Sequence, residues 1–256
     1  MKIATFNCNS IRKRMPIVLD WLGTNKPDVM CLQETKVTDA EFPIQPLTDA
    51  GYHVTFRGMK GYNGVATLSL KKPEKVVHGF REGPDSEDFR ILQTLIDGVQ
   101  IINTYVPQGF AIDSPKFQYK LGWFKQLREY FDAHLSPSSL AVWLGDLNIA
   151  PTEIDLANPK PNKDHPCFHE SARATYNETV AGRFIDVYRA KYPDTISYTF
   201  WDFFSQSFTR NKGWRIDHIM ATPALAKLCT DVEVDLAPRR AISPSDHTVV
   251  WARFTV

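Results

Sequence analysis

The sequence predicts an α/β fold in which two packed sheets carry helices on their outer faces. Three observations lead there. Short apolar runs of strand length end abruptly in acids or amides, which is how a buried strand presents polar groups at its edge. Asp97-Gly98, a pair that favours positive φ, separates two strand patterns and makes part of the sheet antiparallel. A long amphipathic segment after Ser114-Pro115 then intervenes before the next strand. No linker, low-complexity tract or short repeat divides the 256 residues, so one domain spanning 1–256 is the simpler account.

The elements follow in order. Lys2 to Asn9 reads as a strand whose Asn7 and Asn9 share a face, and Arg12, Lys13 and Arg14 form a basic cluster before a short helix opened by Pro16 and ended at Gly23. Pro27 to Leu32 is an apolar strand ending in Gln33-Glu34. Tyr52 to Phe56 and Val65 to Leu70 are strands joined by a glycine-containing loop that lacks the Gly-Lys-Ser/Thr of a phosphate cradle, although Lys60 and Tyr62 could reach a ligand from it. Arg90 to Ile96 and Val99 to Val106 form the hairpin around Asp97-Gly98, leaving Tyr105 and Gln108 near the same edge.

The helix after Pro115 has Phe117, Leu121, Phe124, Leu127, Phe131 and Leu135 at three- and four-residue steps, with Lys116, Lys120 and Lys125 off that stripe and expected in solvent. Leu140 to Leu144 climbs into Gly145 and then delivers Asp146 and Asn148 two residues apart, on one side of an extended chain. A helix is expected over 170–180 and a short packed segment over 184–188. Tyr198 to Phe204 reads as core strand, followed by a polar loop from Ser205 to Asn211 and then Lys212 to Ile219. Asp246-His247 precedes the closing strand Thr248 to Phe254.

Composition narrows the function classes. Hydrophobic residues at 43% and charged residues at 23% describe ordinary globular material, and a formal net charge of +1 excludes a globally basic nucleic-acid coat. Any polyanion must therefore be met by local patches. The cysteines Cys8, Cys31, Cys167 and Cys229 are far apart with no Cys-x-x-Cys, which favours reduced thiols. No basic-then-apolar leader and no apolar run approaching ~18 residues is present, so the expectation is a cytoplasmic or nucleoid-associated protein, neither secreted nor membrane-spanning.

Collected, the strand ends offer Asn7, Asn9, Glu34, Tyr105, Asp146, Asn148, Asp217, Asp246 and His247. Serine-nucleophile motifs are missing, and His165-Pro166-Cys167-Phe168-His169 lacks the second ligand cluster that zinc needs. A hard cation such as Mg²⁺ takes carboxylates, waters and substrate phosphate, so Glu34 with Asp246 or Asn9 is a reasonable set. Asp146 would orient or deprotonate water, Asn148 and His247 would hold phosphoryl oxygens, and Asp217 would orient the imidazole. Arg210, Lys212 and Arg215 would contact phosphates, while Phe200, Trp201, Trp214 and Ile216 line a pocket, stack on bases or simply fill core.

These residues bring the chain to a known family. Phe6-Asn7-x-Asn9, Leu32-Gln33-Glu34-Thr35-Lys36, Tyr105-Val106-Pro107, Gly145-Asp146-Leu147-Asn148-x-Ala150, Gly213-Trp214-Arg215-Ile216-Asp217 and Ser245-Asp246-His247 resemble, in order and spacing, the exonuclease III-like AP endonucleases of the endonuclease/exonuclease/phosphatase superfamily. The resemblance covers nearly the whole chain. It implies a four-layered α/β sandwich with two packed mixed sheets flanked by helices, a Mg²⁺ ligand at Glu34, and Tyr105, Asp146, Asn148, Asp217 and His247 around the scissile phosphate. It also implies a pocket for a flipped-out abasic sugar at Phe200, Trp214 and Ile216. Gln108 stands where Asn is common and His218 where Tyr is frequent, which bears on fine substrate preference.

The implied activity is Mg²⁺-dependent incision of double-stranded DNA 5′ to abasic sites by a monomer, Mn²⁺ being the alternative metal, with 3′-to-5′ exonuclease and 3′-end-cleaning activity. Trp-Leu-Gly-Asp-Leu-Asn also resembles inositol polyphosphate phosphatases, but those would show Pro-x-Trp-Cys-Asp-Arg where this chain has Gly-Trp-Arg-Ile-Asp. The rivals are thus a phosphatase of the same fold acting on a lipid head group or small phosphoester, and a DNA-binding module that has lost catalysis. Glu34 and Asp146 are both present, against the second.

Overall fold

The computed structural model describes residues 1–80, 89–204 and 206–256. The chain runs β1 (Lys2–Asn7), α1 (Ile11–Asn25), β2 (Val29–Gln33), α2 (Ile44–Asp49), β3 (His53–Arg57), β4 (Val65–Ser69), β5 (Lys75–His78), β6 (Ile91–Ile96) and β7 (Val99–Tyr105). It continues through α3 (Pro115–His134), β8 (Ala141–Asp146), α4 (Glu170–Val180), β9 (Ile185–Asp186), α5 (Val187–Lys191), β10 (Asp217–Ala221), α6 (Pro223–Ala226), β11 (Cys229–Asp235), α7 (Ala237–Arg240) and β12 (Val249–Phe254). Two six-stranded sheets result, ordered β11-β12-β1-β2-β4-β3 and β5-β6-β7-β8-β10-β9. Both are mixed: β1 pairs in parallel with β2 and β7 with β8, and the other pairings are antiparallel.

Strand alternation builds the layers. In β1, Ala4 and Phe6 face outward onto Ile11, Val18 and Trp21 of α1, while Ile3 faces the second sheet. In β8, Trp143 faces α3 and α4 with Phe131 and Tyr176, while Val142 and Leu144 face inward. The inner cluster of Ile3, Val29, Cys31, Ile101, Val142, Leu144, Ile219 and Val250 joins the sheets, giving helix, sheet, sheet, helix as the implied four-layered sandwich requires. Toward one edge the inner face turns polar, with a hydrogen-bonded network at its centre. Gln33 Nε2 donates to Thr5 Oγ1 at 2.9 Å and to Asn103 Oδ1 at 2.8 Å, and Asn103 Nδ2 donates to the Leu32 and Ala66 carbonyls.

The Asp97-Gly98 hairpin forms with both residues at positive φ, +51° and +72°. Ser114 caps α3 by accepting from Phe117 N at 3.3 Å, with Pro115 in the first turn. The 170–180 helix is α4, and 184–188 becomes the short strand β9 leading into α5.

Three expectations need correction. The first helix begins at Ile11, not Pro16, so Arg12 to Arg14 lie within it and Pro16 merely fails to donate to the Arg12 carbonyl. That early start is licensed by the neighbouring loop, because Ser10 N and Ile11 N donate to the Glu34 and Thr35 carbonyls. Tyr198 to Phe204 is not a strand. Phe200 makes isolated bridges to Trp214 and His247, and Asp202 Oδ1 then accepts from Phe204 N in an Asx turn that leaves Phe204 77% exposed. The following loop is described from Gln206 onward, since Ser205 lies outside the described residues. Finally, Lys120 is not solvated but 0% exposed.

Candidate active site

Period-two alternation explains why so many strand-end polar groups meet. The inward rows of β1, β2, β7, β8 and β10 terminate in Asn7, Gln33, Tyr105, Asp146 and Asp217, all at one edge of the two sheets. The parallel registers Asn7↔Gln33 and Tyr105↔Asp146, and the antiparallel register Asp217↔Asp146, put these residues side by side. His247 and Asp246 precede β12, antiparallel to β1, and arrive at the same edge. Gly145 is obligatory here: its φ is +136°, and a Cβ would lie 1.9 Å from the Thr104 carbonyl oxygen.

Asn7, fully buried, bridges the two sheets by donating from Nδ2 to Glu34 Oε1 and to Asp146 Oδ2, each at 2.8 Å. Glu34 follows β2 in the left-handed region at φ +51° and pairs with Lys36 Nζ at 2.8 Å. Lys36 Nζ also donates to Asn9 Oδ1 at 2.7 Å, and Asn9 Nδ2 donates to Asp246 Oδ1 at 2.9 Å. The expected metal set of Glu34, Asp246 and Asn9 is therefore linked into one chain of contacts through Lys36. His247 Nδ1 is 2.8 Å from Asp217 Oδ2, and its Nε2 is 3.7 Å from Asp146 Oδ2. Asn148 N donates to Asp146 Oδ1 at 2.9 Å, and Asn148 Nδ2 donates to the Val106 carbonyl at 2.9 Å.

Burial and like charge set the protonation states. Burial raises the Asp146 carboxyl well above its usual range; His247 opposes this, while Asp217 and Glu34 add to it. Burial disfavours charge on His247, but Asp217, Asp146 and Asp246 together outweigh it and raise the imidazole. The Tyr105 phenol is pushed up by burial and then by Glu34 and Asp146, so it stays protonated.

These groups open onto a cavity of about 470 Å³ lined by Glu34, Tyr105, Gln108, Asp146, Asn148 and His247, with Phe200, Trp214 and Ile216 as an apolar wall. The Phe200 ring lies 4.9 Å from that of His247. Arg215, expected on phosphate, instead points into the interior: it is 2% exposed and donates to Asp155 Oδ1 and Asp186 Oδ2, each at 2.7 Å. Arg210 and Lys212 are exposed on the neighbouring loop and do not line the cavity. Departures from expectation include His165 and Cys167, read only as an incomplete zinc motif. His165 packs against Trp214 at 4.7 Å, and the Cys167 thiol lies 3.6 Å from Asn148 Oδ1. Burial, reinforced by the Lys120 charge, lowers His165 to about 4, so it lines the cavity as neutral imidazole. His169 caps α4.

The donor chemistry suits a hard divalent cation. Glu34 and Asp146 offer carboxylate oxygens within 4.8 Å of each other, while His247, equally near, is raised by its acidic neighbours and keeps its ring protons. The Lys36 ammonium on Glu34 Oε2 already shows that this oxygen draws positive charge.

The model of the Endonuclease/Exonuclease/phosphatase family matches residues 4–247. Exodeoxyribonuclease III of Haemophilus influenzae is 33% identical over 266 residues, covering 99% of this chain and 100% of the relative. Among solved structures, an AP endonuclease from Archaeoglobus fulgidus shares 47% identity at a TM-score of 0.96, with 100% of both chains covered. A 3′ phosphatase from Neisseria, bound to product DNA hairpin, shares 37% identity at a TM-score of 0.94, again with 100% of both covered.

Proposed function

This chain belongs to the endonuclease/exonuclease/phosphatase family, and from that premise we propose that it incises DNA 5′ to abasic sites, leaving a 3′-hydroxyl, in a reaction that depends on Mg²⁺ or Mn²⁺. The observation that supports this most is the adjacency, in one cavity, of the Asp217–His247–Asp146 array and the Phe200, Trp214 and Ile216 wall. Phosphodiester chemistry needs the first, and a sugar stripped of its base fits the second. The AP endonuclease and 3′ phosphatase relatives support abasic incision and 3′-end cleaning respectively.

Asp146, raised by burial, is suited to take a proton from the attacking water, because a base works best when its pKa lies near the operating pH. His247, charged and oriented by Asp217, directs Nε2–H toward a phosphoryl oxygen. The Asn148 amide, fixed through the Val106 carbonyl, keeps a second N–H for the phosphate. Glu34 would hold the metal, flanked by Asp246 and Asn9, and the bound cation would neutralise charge developing on the leaving oxygen. Asn7 keeps Glu34 and Asp146 in fixed relation, and Tyr105 keeps its proton for an oxygen of the substrate. Gln108 borders the cavity, while the exposed Arg210 and Lys212 on the neighbouring loop would meet DNA phosphates outside it.

A labelled duplex carrying one abasic site, incubated with Mg²⁺, with Mn²⁺ and with EDTA, tests this. Incision 5′ to the lesion that EDTA abolishes is expected. No incision with any divalent metal, alongside release of phosphate from a small phosphoester, would establish the phosphatase reading instead.

A further inference from the structure

Lys120 lies on α3, outside the helix's apolar stripe in sequence, yet it is fully buried. Its ammonium donates to the main-chain carbonyls of Asn148 at 2.6 Å, Pro166 at 2.9 Å and Gln108 at 3.2 Å. An ammonium has three N–H donors, so all are used. Among the described residues no carboxylate forms an ion pair with it. Burying a cation without a carboxylate is costly, and an apolar side chain at this position would avoid that cost.

The three carbonyls belong to three separate loops, and each loop supplies the cavity: Gln108 from the first, Asn148 from the second, His165 and Cys167 from the third. The loops close directly on the lysine stem. Gly109 sits at φ +102°, and a Cβ there would lie 3.3 Å from Lys120 Cδ and 3.0 Å from Pro166 Cβ. Burial lowers the Lys120 ammonium from its ordinary value, while Cys167 and Asp146 of the site oppose that shift, and the lysine's charge adds to the burial that lowers His165.

We propose that Lys120 is a positioning residue for phosphodiester cleavage: its buried ammonium ties the Gln108, Asn148 and Cys167 loops into one floor and holds a fixed positive charge beneath the phosphate site. The inference rests on the nuclease reading above. The cavity presents the carboxylates of Glu34, Asp146 and Asp246 to an anionic substrate, so a cation that cannot move away lowers the repulsion at no cost in reorganisation. Asn148 is meanwhile held at both ends, its carbonyl by Lys120 and its amide by the Val106 carbonyl, in the left-handed conformation at φ +47°.

Steady-state incision of an abasic duplex with Mg²⁺ by wild type, Lys120→Met and Lys120→Arg tests this, with thermal unfolding recorded for each. Lys120→Met is expected to lower kcat about 10²-fold with KM within about threefold of wild type, as for loss of a preorganised electrostatic contact. The salt dependence of KM is expected to stay at the wild-type value, because no direct phosphate contact is lost. Lys120→Arg restores kcat to within about tenfold of wild type. Wild-type kcat in Lys120→Met, or a raised KM at unchanged kcat, overturns the inference. If Lys120→Met does not fold, Lys120→Gln replaces it, keeping donors without charge; equal kcat for the Gln and Arg variants then overturns the electrostatic role. A wild-type protein that fails to incise removes the nuclease reading beneath it, whereas an active wild type matched by Lys120→Met removes this inference alone.

Discussion

Asp217 Oδ2 and His247 Nδ1 are 2.8 Å apart although they belong to different sheets, Asp217 opening β10 and His247 preceding β12. The bond fixes which imidazole nitrogen faces Asp146. Asp217→Asn removes the carboxylate that both orients and charges the ring. We expect kcat for abasic incision to fall roughly 10²–10⁴-fold, by analogy with loss of the orienting acid in Asp-His pairs. Wild-type kcat in a folded Asp217→Asn protein would contradict the assignment.

Asp146→Asn separates chemistry from binding. The amide preserves shape but cannot accept the proton of water, so most turnover is lost while abasic-DNA binding remains. Single-turnover incision and a gel-shift measurement on the same preparation decide it, and joint loss of both counts against the role.

Glu34→Gln addresses the metal. With one carboxylate oxygen fewer in the donor cluster, the Mg²⁺ concentration for half-maximal incision should rise at least about tenfold. Titration of activity with Mg²⁺ reads this directly, and an unchanged midpoint would place the cation elsewhere.

Arg215 yields a stability prediction with a pH signature. Asp186 is held far below the usual carboxylate range: burial opposes this, but Arg215 and His218 outweigh it. A depressed folded pKa contributes stability above the unfolded value of about 3.9, and that stability is lost as pH falls through the folded pKa. Arg215→Met leaves Asp155 and Asp186 without this partner and should cost about 3–5 kcal/mol at neutral pH in denaturant unfolding. In the variant Asp155 keeps Arg189 and Thr152 and Asp186 keeps His218, so their carboxyls move back toward the unfolded value, and the deficit relative to wild type should shrink as pH falls below about 4, where the wild type loses the same stability. A pH-independent deficit would show that packing, not charge, is what Arg215 contributes.

What could be read from the sequence followed from local periodicity. Asp146 and Asn148 stand two apart after an apolar run, Asn7 and Glu34 end similar runs, and Asp97-Gly98 fixes a turn, so edge and hairpin were visible without tertiary information. Local pattern assigns Lys120 to solvent and Arg215 to phosphate, and both lie buried instead because their burial depends on partners distant in the chain. For Lys120 these are the carbonyls of residues 108, 148 and 166; for Arg215 they are Asp155 and Asp186. Phe203 and Phe204 resemble core by type, and only the Asx turn at Asp202 sends them outward. Propensity reports the residue, whereas burial reports its surroundings.

The Asn7 amide touches Glu34 of one sheet and Asp146 of the other, and just beneath it Gln33, Thr5 and Asn103 lock the same two sheets together. The spacing between Glu34 and Asp146 is thus a property of how the two halves of the sandwich are clamped. A change at Ile3, Cys31 or Val142, deep in the seam and remote from any substrate atom, would act like a shim between the jaws of a vice. Sequence drift in that seam is therefore a route by which turnover can be tuned while every residue of the cavity stays the same.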